Sequence, residues 1–231
     1  MTVLTKVPIH KYIPMNSNGR DFFIGDIHGE YEQLISLLAK VCFEPKRDRL
    51  FSTGDVIDRG PHSYNCLLKT QEPWFYSTLG NHENLLIEAS KGSYYWKSAW
   101  FENGGEWWLQ LNNYEKKKAL SIIYDNFSLT MTVETLFGKI GVVHAEYPFK
   151  KWPPNKEIIG EPEFLKMLTG REVFREKTHQ KVDGVSLIVS GHSESNEVLT
   201  LGDQVYINVI ADGLNMFEIK ENGFVQLSTG L

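Results

Sequence analysis

Short apolar runs that end at a glycine recur along the first third of the chain, and each is followed by an amphipathic stretch. Residues 22–25 form the first run, and apolar residues recur at helical spacing over 30–41, which predicts a buried strand followed by an amphipathic helix. The same order of strand, loop and helix returns at 50–69 and at 74–90. This rhythm predicts parallel strands joined by right-handed helical crossovers.

The rest of the chain mixes helical and strand patterns. Residues 93–125 are rich in aromatics and helical by pattern, with a break at Gly104 and Gly105, and we interpret their tryptophans as core rather than substrate contacts. Two alternating runs predict a hairpin over 129–143. Beyond it we predict a helix at 163–169 and strands at 185–190, 197–201, 204–210, 214–219 and 223–228.

Together these elements predict an α/β fold in which two β-sheets pack as a sandwich flanked by helices. No linker rich in proline, serine or glycine interrupts the 231 residues, so we expect one domain over 1–231. Residues 1–19 contain two prolines and a turn-forming NSNG, which predicts an irregular lead-in. His10, within it, has no evident partner in the sequence and is expected to be an ordinary surface or packing histidine.

Charge and composition argue against several classes of function. The net charge of −5 and the pI of about 5.8 disfavour a broad basic surface for nucleic acid. The chain has no signal-peptide core and no run of about 18 apolar residues, the length that a membrane span needs. Two cysteines, Cys42 and Cys66, suggest a reducing cytoplasm in which both are small buried side chains. We therefore expect a cytoplasmic protein without membrane contacts, and a monomer by default.

Polar residues of the kind that bind metals follow the apolar runs. They stand just after each of the first three runs, and a histidine ends each of two later ones, 139–143 and 185–190. These residues are Asp26, His28, Asp55, Asp58, Asn81, His82, His144 and His192. Singly, each could be a turn residue, an N-cap or a buried histidine. Because open α/β sheets place their sites beyond the carboxyl ends of neighbouring strands, the five loops together predict one metal site.

The expected ligand atoms are oxygen and nitrogen without sulfur, which suits Mn²⁺, Fe²⁺ or Zn²⁺ better than Ca²⁺ or Mg²⁺. Six ligands exceed the needs of one four-coordinate ion, so a bridging Asp55 would let two ions share them. One ion would take Asp26, His28 and Asp55, and the other Asp55, Asn81, His144 and His192. Two ions ~3.5–4 Å apart can clamp a phosphoryl group and activate a water for in-line attack.

Four further side chains are suited to catalysis rather than to metal binding. His82 directly follows a predicted ligand, so we expect it to point away from the ions and to protonate the leaving oxygen. Asp58 would fix the tautomer of that imidazole. The guanidinium fork of Arg59 matches two phosphate oxygens, and Arg171 is the candidate for a second fork.

Five motifs in this order, GDIHG, GDVIDRG, GNHE, HAE and GHS, resemble those of the PPP-type calcineurin-like metallophosphoesterases over most of the chain. The PWF run at 73–75, NGG at 103–105 and HAEYPF at 144–149 are most similar to the small bacteriophage lambda-type serine/threonine protein phosphatases within that family. The resemblance implies the calcineurin-like fold and hydrolysis of phosphoserine or phosphothreonine in proteins. It also implies direct attack of a water that bridges two Mn²⁺-type ions, without a phosphoenzyme.

The resemblance further implies roles for single residues. It gives metal ligation by Asp26, His28, Asp55, Asn81, His144 and His192, a general acid His82 paired with Asp58, and phosphate binding by Arg59 and Arg171. Arg175 is the rival of Arg171, and Asn81 is also counted as a substrate contact. Two positions depart from the family pattern. Ser193 stands where threonine is common. In INVIADG, Asn208 follows the isoleucine where relatives tend to carry aspartate, and we expect this second departure to alter the support around His192.

Two other functions compete with this interpretation. A symmetrical diadenosine tetraphosphate hydrolase shares the first motifs, but Glu83 stands where that group usually has aspartate. A binding module that keeps the fold without activity is disfavoured, because every predicted ligand is present.

Overall fold

A computed structural model describes residues 6–211, 213–220 and 223–227. Within these residues, twelve strands form two sheets of six. The strands are β1 His10–Ile13, β2 Asp21–Ile24, β3 Arg49–Ser52, β4 Phe75–Thr78, β5 Phe127–Ser128, β6 Thr130–Thr135, β7 Gly138–Val143, β8 Leu187–Ser190, β9 Leu199–Leu201, β10 Gln204–Tyr206, β11 Met216–Lys220 and β12 Gly223–Leu227. The helices are α1 Tyr31–Lys40, α2 Ser63–Lys69, α3 Asn81–Ser90, α4 Tyr94–Phe101, α5 Asn113–Asn126, α6 Glu161–Thr169 and α7 Glu172–Glu176, with 3₁₀ turns at Gly105–Gln110 and Lys156–Ile158.

The first sheet has the strand order β1-β6-β7-β8-β10-β9, and the second has the order β12-β11-β2-β3-β4-β5. Strands β2, β3, β4 and β5 run parallel in the second sheet, as the strand–helix rhythm predicts. In the first sheet β7 and β8 are parallel neighbours. The predicted α/β class, with two sheets flanked by helices, is confirmed.

Alternation along the strands explains why the sheets pack as a sandwich. Phe23 and Phe51 face the other sheet and join a buried cluster with Val142 and Val189. The neighbours of Phe23 in the chain point to the opposite face and pack with the helices, as Leu34 of α1 does from the other side. The central strands β2 and β3 therefore bury both faces, which is why they read as nearly continuous apolar runs.

The amino-terminal lead-in was predicted to be irregular, and this is wrong for residues 10–13. Residues 10–13 form β1, which pairs in parallel with β6 so that His10 lies opposite Thr130. Local sequence gave no such signal, because the partner strand lies some 120 residues further along the chain. Residues 1–5 lie outside the described residues.

His10 is a packing histidine with a complete set of hydrogen bonds. Its Nδ1 donates to Thr130 Oγ1 over 2.9 Å, because that hydroxyl already donates to the carbonyl of Ile9. Its Nε2 accepts from Thr132 Oγ1 over 3.0 Å, and that hydroxyl in turn accepts from Trp152 Nε1. Burial lowers the pKa of His10 to about 4, so the ring is held in one neutral tautomer.

Other differences from the predicted elements are local. The third helix begins at Asn81 rather than at 84, so a predicted ligand lies in its first turn. The strand predicted at 204–210 ends at Tyr206, and the short helix α7 was not predicted. Cys66 is buried as expected, whereas Cys42 is exposed. In the described part of the chain no helix is long and apolar enough to cross a membrane. The single domain and the cytoplasmic location stay predictions.

Candidate metal centre

Loops from both sheets meet at one end of the sandwich. Asp26, Asp55 and Asn81 follow the parallel strands β2, β3 and β4, and His144 and His192 follow β7 and β8. The two sheets are joined here by a hydrogen bond of 3.0 Å from the backbone N–H of His192 to Asp26 Oδ1. The carboxyl ends of five strands therefore contribute to one site, as predicted.

Glycines allow these loops to approach one another closely. A Cβ on Gly80 would lie 2.1 Å from Asp55 Oδ1, and a Cβ on Gly54 would lie 2.7 Å from the backbone nitrogen of Gly80. Gly54 also has a φ of +105°, a conformation that side chains rarely adopt. The glycines of GDVIDRG and GNHE thus set the distance between the second and third loops.

Backbone strain concentrates at the predicted site. Among the described residues, seven non-glycine residues have a positive φ, and five of them are predicted site residues. These five are His28, Asp55, Asp58, Arg59 and His192. Each such conformation costs on the order of 1–3 kcal/mol and persists only where the surroundings impose it. The fold therefore holds these side chains in place at the expense of stability.

Asp55 lies at the centre of the predicted ligands. Its Oδ2 is 3.3 Å from His144 Nε2 and 3.9 Å from His28 Nε2, and His28 Nε2 is also 3.9 Å from Asp26 Oδ2. Donor atoms of Asp55, His144 and His192 all lie within 4.8 Å of one another. The six residues predicted as ligands are therefore brought together, and Asp55 has the central place expected of a bridging carboxylate.

The surroundings of the Asn81 amide test whether a cation fits here. Its Oδ1 lies 2.9 Å from His144 Nε2 and from His192 Nδ1, and 3.2 Å from Asp55 Oδ2. Without a cation this oxygen accepts from a ring N–H, because His192 Nε2 accepts from Arg171 and the neutral ring therefore carries its proton on Nδ1. With a cation bound, the amide oxygen, the ring nitrogens and the Asp55 carboxylate would direct their lone pairs at it. Imidazole nitrogens and carboxylate and amide oxygens are the ligands of borderline divalent metals, so the donor set fits such ions.

Electrostatics in the site favour a cation. Burial raises the pKa of Asp26 to about 6. Burial also acts to raise the pKa of Asp55, but the imidazoles of His144 and His82 outweigh it and hold that pKa well below its usual range. Burial opposes protonation of His144, yet the nearby Asp55 carboxylate raises its pKa to about 9. The carboxylates around His144 thus favour positive charge at this point, and a divalent ion would supply it.

His82 and Asp58 form a buried pair beside the ligands. His82 Nδ1 lies 2.8 Å from Asp58 Oδ2, and His82 Nε2 lies 3.9 Å from Asp55 Oδ2. The expectation that His82 points away from the ions is therefore wrong, because its free nitrogen faces the ligand cluster. Burial acts to lower the pKa of His82, but the carboxylates of Asp55 and Asp58 outweigh it and raise this pKa.

The predicted phosphate-binding arginines lie at the rim of the cluster. Arg171 Nε donates to His192 Nε2 over 3.0 Å, which places its side chain at the site. In the described part of the chain, no recorded hydrogen bond or ion pair involves the Arg175 side chain, so the geometry favours Arg171. Arg59 Nη1 lies 3.5 Å from Oε1 of Glu194, a contact that the sequence did not suggest.

Comparison with known families decides what kind of protein carries this site. The sequence profile of the calcineurin-like phosphoesterases matches residues 22–196, a span that contains all six predicted ligands. The chain belongs to the calcineurin-like phosphoesterase family. It is therefore a metallophosphoesterase, a hydrolase from a family that uses a centre of two metal ions, and the resemblance of the five motifs is confirmed.

Relatives of this phosphoesterase carry two kinds of name. Serine/threonine-protein phosphatase 2 of Escherichia coli (strain K12) is 34% identical over 202 residues, which cover 85% of this chain and 91% of the relative. The symmetrical bis(5'-nucleosyl)-tetraphosphatase of Klebsiella pneumoniae subsp. pneumoniae is 44% identical over 73 residues, 31% of this chain and 26% of the relative. A solved structure described as a putative diadenosine tetraphosphatase has a TM-score of 0.68 over 96% of this chain and 100% of that one, at 21% identity, and shows the fold alone.

The sequence analysis assigned one supporting residue of the phosphoesterase, Asn208, to the wrong ligand. Asn208 Nδ2 donates to Asp26 Oδ2 over 2.8 Å, so this departure from the family pattern supports Asp26 and not His192. Glu83 accepts backbone N–H groups of Asp55, Val56 and Gly80 and thereby fixes the second loop against the third. Glu83, which the sequence analysis used to disfavour the tetraphosphate hydrolase, is thus a loop anchor in this chain.

Two tryptophans contact the site, which sequence reasoning missed. Trp100 Nε1 donates to Asp58 Oδ2 over 2.8 Å, and Trp107 Nε1 donates to Asp58 Oδ1 over 2.7 Å. Both were interpreted as core residues, and Trp100 is indeed buried. A usable signal existed, because a buried indole N–H usually has a polar partner and the aromatic segment offers few.

Proposed function

We propose that this phosphoesterase is a phosphomonoesterase that uses two divalent ions of the Mn²⁺ type to hydrolyse phosphoserine and phosphothreonine in proteins. The observation that carries the proposal is the convergence of five oxygen and nitrogen donor side chains on Asp55, with a buried His–Asp pair beside them. Fe²⁺ or Zn²⁺ would suit the same donor atoms. Phosphorylated proteins or peptides are then the partners, and nucleic acid and membranes are not.

The ligands divide between two ions around Asp55. In the proposal one ion is held by Asp26, His28 and Asp55, and the other by Asp55, Asn81, His144 and His192. When bound, the ions would polarise the phosphoryl oxygens and activate water for direct in-line attack. Asn208 and the His192 backbone hold Asp26 in place for this task.

The remaining residues bind the phosphate and move a proton. Arg59 lies in the loop after β3 and Arg171 lies between α6 and α7. Their guanidinium forks would hold phosphate oxygens, with Asn81 as a further contact. His82 Nε2 faces the ligands while its Nδ1 is held by Asp58. His82 would therefore donate a proton from Nε2 to the leaving serine or threonine oxygen, which is a poor leaving group without it.

The names of the relatives support a protein substrate. Relatives named serine/threonine-protein phosphatase match 85% and 91% of this chain. The match to a relative named symmetrical bis(5'-nucleosyl)-tetraphosphatase is confined to 73 residues. Hydrolysis of diadenosine tetraphosphate is nevertheless the second candidate, because those 73 residues are 44% identical.

A substrate screen with added metal tests the proposal. The purified protein, stripped with a chelator, is supplied with Mn²⁺ and offered phosphoserine and phosphothreonine peptides, p-nitrophenyl phosphate and diadenosine tetraphosphate. We expect turnover of the first three, none in the stripped protein, and recovery when Mn²⁺ is returned. Full activity without metal would refute metal dependence, and preferential cleavage of the tetraphosphate would favour the second candidate.

A further inference from the structure

We propose that Trp100 and Trp107 are positioning residues of the catalytic apparatus. Their indole N–H groups lock the Asp58 carboxylate in the orientation in which it directs His82 toward the leaving oxygen. The inference rests on the proposed function, in which His82 protonates the leaving group. It gives a role to two tryptophans of the aromatic segment that otherwise have none in the mechanism.

The contacts on Asp58 are short and divided between its two oxygens. The carboxylate is completely buried, and Oδ2 accepts from both Trp100 Nε1 and His82 Nδ1, each over 2.8 Å. Oδ1 accepts from Trp107 Nε1 over 2.7 Å. A buried carboxylate must find donors, and donors on both oxygens prevent its rotation. Two neutral donors do this without adding a positive charge that would compete with the histidine.

The turn that carries Asp58 needs such support. Asp58 and Arg59 are consecutive non-glycine residues with φ values of +73° and +65°. Strain of this kind persists only when neighbouring structure imposes it. The tryptophans that bind Asp58 come from segments 42 and 49 residues away in sequence, so the constraint is tertiary rather than local.

The Asn-Gly-Gly corner between α4 and the following 3₁₀ turn brings both indoles to Asp58. A Cβ on Gly104 would lie 2.5 Å from the backbone nitrogen of Arg59. A Cβ on Gly105 would lie 2.5 Å from the indole ring of Trp100. Only glycine fits at either position, so the corner packs directly on the backbone of the strained turn. Backbone contact and indole hydrogen bonds therefore act on the same two residues, Asp58 and Arg59.

A third tryptophan shows that the arrangement is more than aromatic packing. Trp108 packs edge-on against Trp100 at 5.6 Å and against Trp107 at 5.9 Å between ring centroids. Within the described residues, however, no recorded hydrogen bond involves its indole N–H. Apolar packing alone gives no reason for the three indole rings to differ. Two of them nevertheless direct their N–H groups at the Asp58 carboxylate, and the third does not. Trp108 is therefore a matched control.

The experiment replaces each tryptophan by phenylalanine, which keeps an aromatic ring and removes the N–H. Trp107→Phe and Trp100→Phe should lower kcat on a phosphoserine peptide roughly 10-fold, below the ~10²–10⁴-fold that general acid catalysis supplies. The loss on p-nitrophenyl phosphate, whose leaving group needs no proton, should be several-fold smaller, and both metal ions should remain bound. Trp108→Phe should show no such difference between the two substrates.

A double-variant cycle separates positioning from general damage. If the indoles act through Asp58, Trp107→Phe should add no further leaving-group-dependent loss in an Asp58→Asn background. Equal losses on both substrates, the same split in Trp108→Phe, or additive losses in the cycle would overturn the proposal. Trp107 is only partly buried, so its variant carries the test should Trp100→Phe fail to fold in thermal unfolding.

Indole NMR signals report on the contact without any turnover. In the wild-type protein the Nε1 protons of Trp100 and Trp107 should exchange with solvent more slowly than that of Trp108, and Asp58→Asn should shift the first two signals alone. Absence of wild-type turnover on both substrates with metal would refute the proposed function. If the wild type turns over both substrates but the tryptophan variants lose the same rate on each, the positioning role alone is refuted.

Discussion

Replacing Glu194 by glutamine tests how charge at the rim of the site affects substrate binding. Glu194 and Arg59 form an ion pair of 3.5 Å across the site, with side chains 52% and 49% exposed. An arriving phosphate must separate this pair before it can occupy the guanidinium fork. The freed carboxylate then stays close to a second negative group. Both effects oppose binding, and both disappear in Glu194→Gln.

The size of the effect follows from the exposure and the distance of the pair. Exposed ion pairs contribute ~0.2–1 kcal/mol, and two like charges about 4 Å apart in water repel by ~1 kcal/mol. Together these give roughly 1–2 kcal/mol at low salt, and since ~1.4 kcal/mol corresponds to tenfold, KM should fall roughly 5- to 30-fold. The gain should be larger for diadenosine tetraphosphate, which carries more negative charge.

Steady-state kinetics on a phosphoserine peptide at low and high salt measure this prediction. Screening should shrink the difference between wild type and Glu194→Gln as salt rises. Glu197→Gln is the control, because Glu197 is exposed on the same loop and has no recorded contact with Arg59 within the described residues. An unchanged KM at low salt, or an equal fall in Glu197→Gln, would show that the ion pair does not compete with phosphate.

Four further predictions follow from the site and the fold. Asp55→Asn should lose bound metal as well as rate, and two ions still present by elemental analysis would remove Asp55 from the bridging role. His82→Asn should keep both ions yet lose ~10²–10⁴-fold more rate on a phosphoserine peptide than on p-nitrophenyl phosphate, whereas equal losses would mean that it is not the acid. Arg59→Ala should raise KM and lower kcat, costing about 2–4 kcal/mol in kcat/KM, and unchanged kinetics would place the phosphate elsewhere. The pKa of His10 is about 4 in the fold against 6.5 in the unfolded chain, so its contribution to stability is complete above pH 6.5 and is lost as the pH falls toward 4. The difference in unfolding free energy between wild type and His10→Asn, measured in urea, should therefore shrink from pH 6.5 to pH 4, and a constant difference would contradict this.

Most of the fold was predictable because its signals are local. Strands β2, β3 and β4 of the second sheet read as largely apolar runs, and the loop after each contains a glycine that lets neighbouring loops approach closely. β1 was missed because its pairing with β6 is long-range. The start of α3 was predicted too late because the GNHE motif was interpreted as a ligand loop. Asn81 is both a predicted ligand and the first residue of the helix.

The sequence predicted which side chains gather at the candidate site, but not the contacts that support them. The motifs that contain Asp26, Asp55 and His192 each directly follow a predicted strand. Residues in such positions lie at the carboxyl ends of neighbouring strands, so the sequence predicted that they meet. The donors to Asp58 come from residues 42 and 49 positions away, and the Asn208 donor to Asp26 comes from 182 positions away. No periodicity encodes which polar side chain meets which across such distances, so these contacts require the folded structure.

The division of the predicted ligands between the two sheets has a consequence for how the centre is assembled during synthesis. All ligands of the first predicted ion precede residue 56, and the last ligand of the second is His192 in a chain of 231 residues. Domains fold largely from the amino terminus as the chain emerges, at ~5–20 residues per second. The predicted ligands of the first ion are therefore made early, but Asp26 is held by donors from His192 and Asn208, which are made late. Neither predicted ion would find its finished site until β8 and the loop beyond it have been synthesised, so the proposed centre would be one of the last parts of the fold to form.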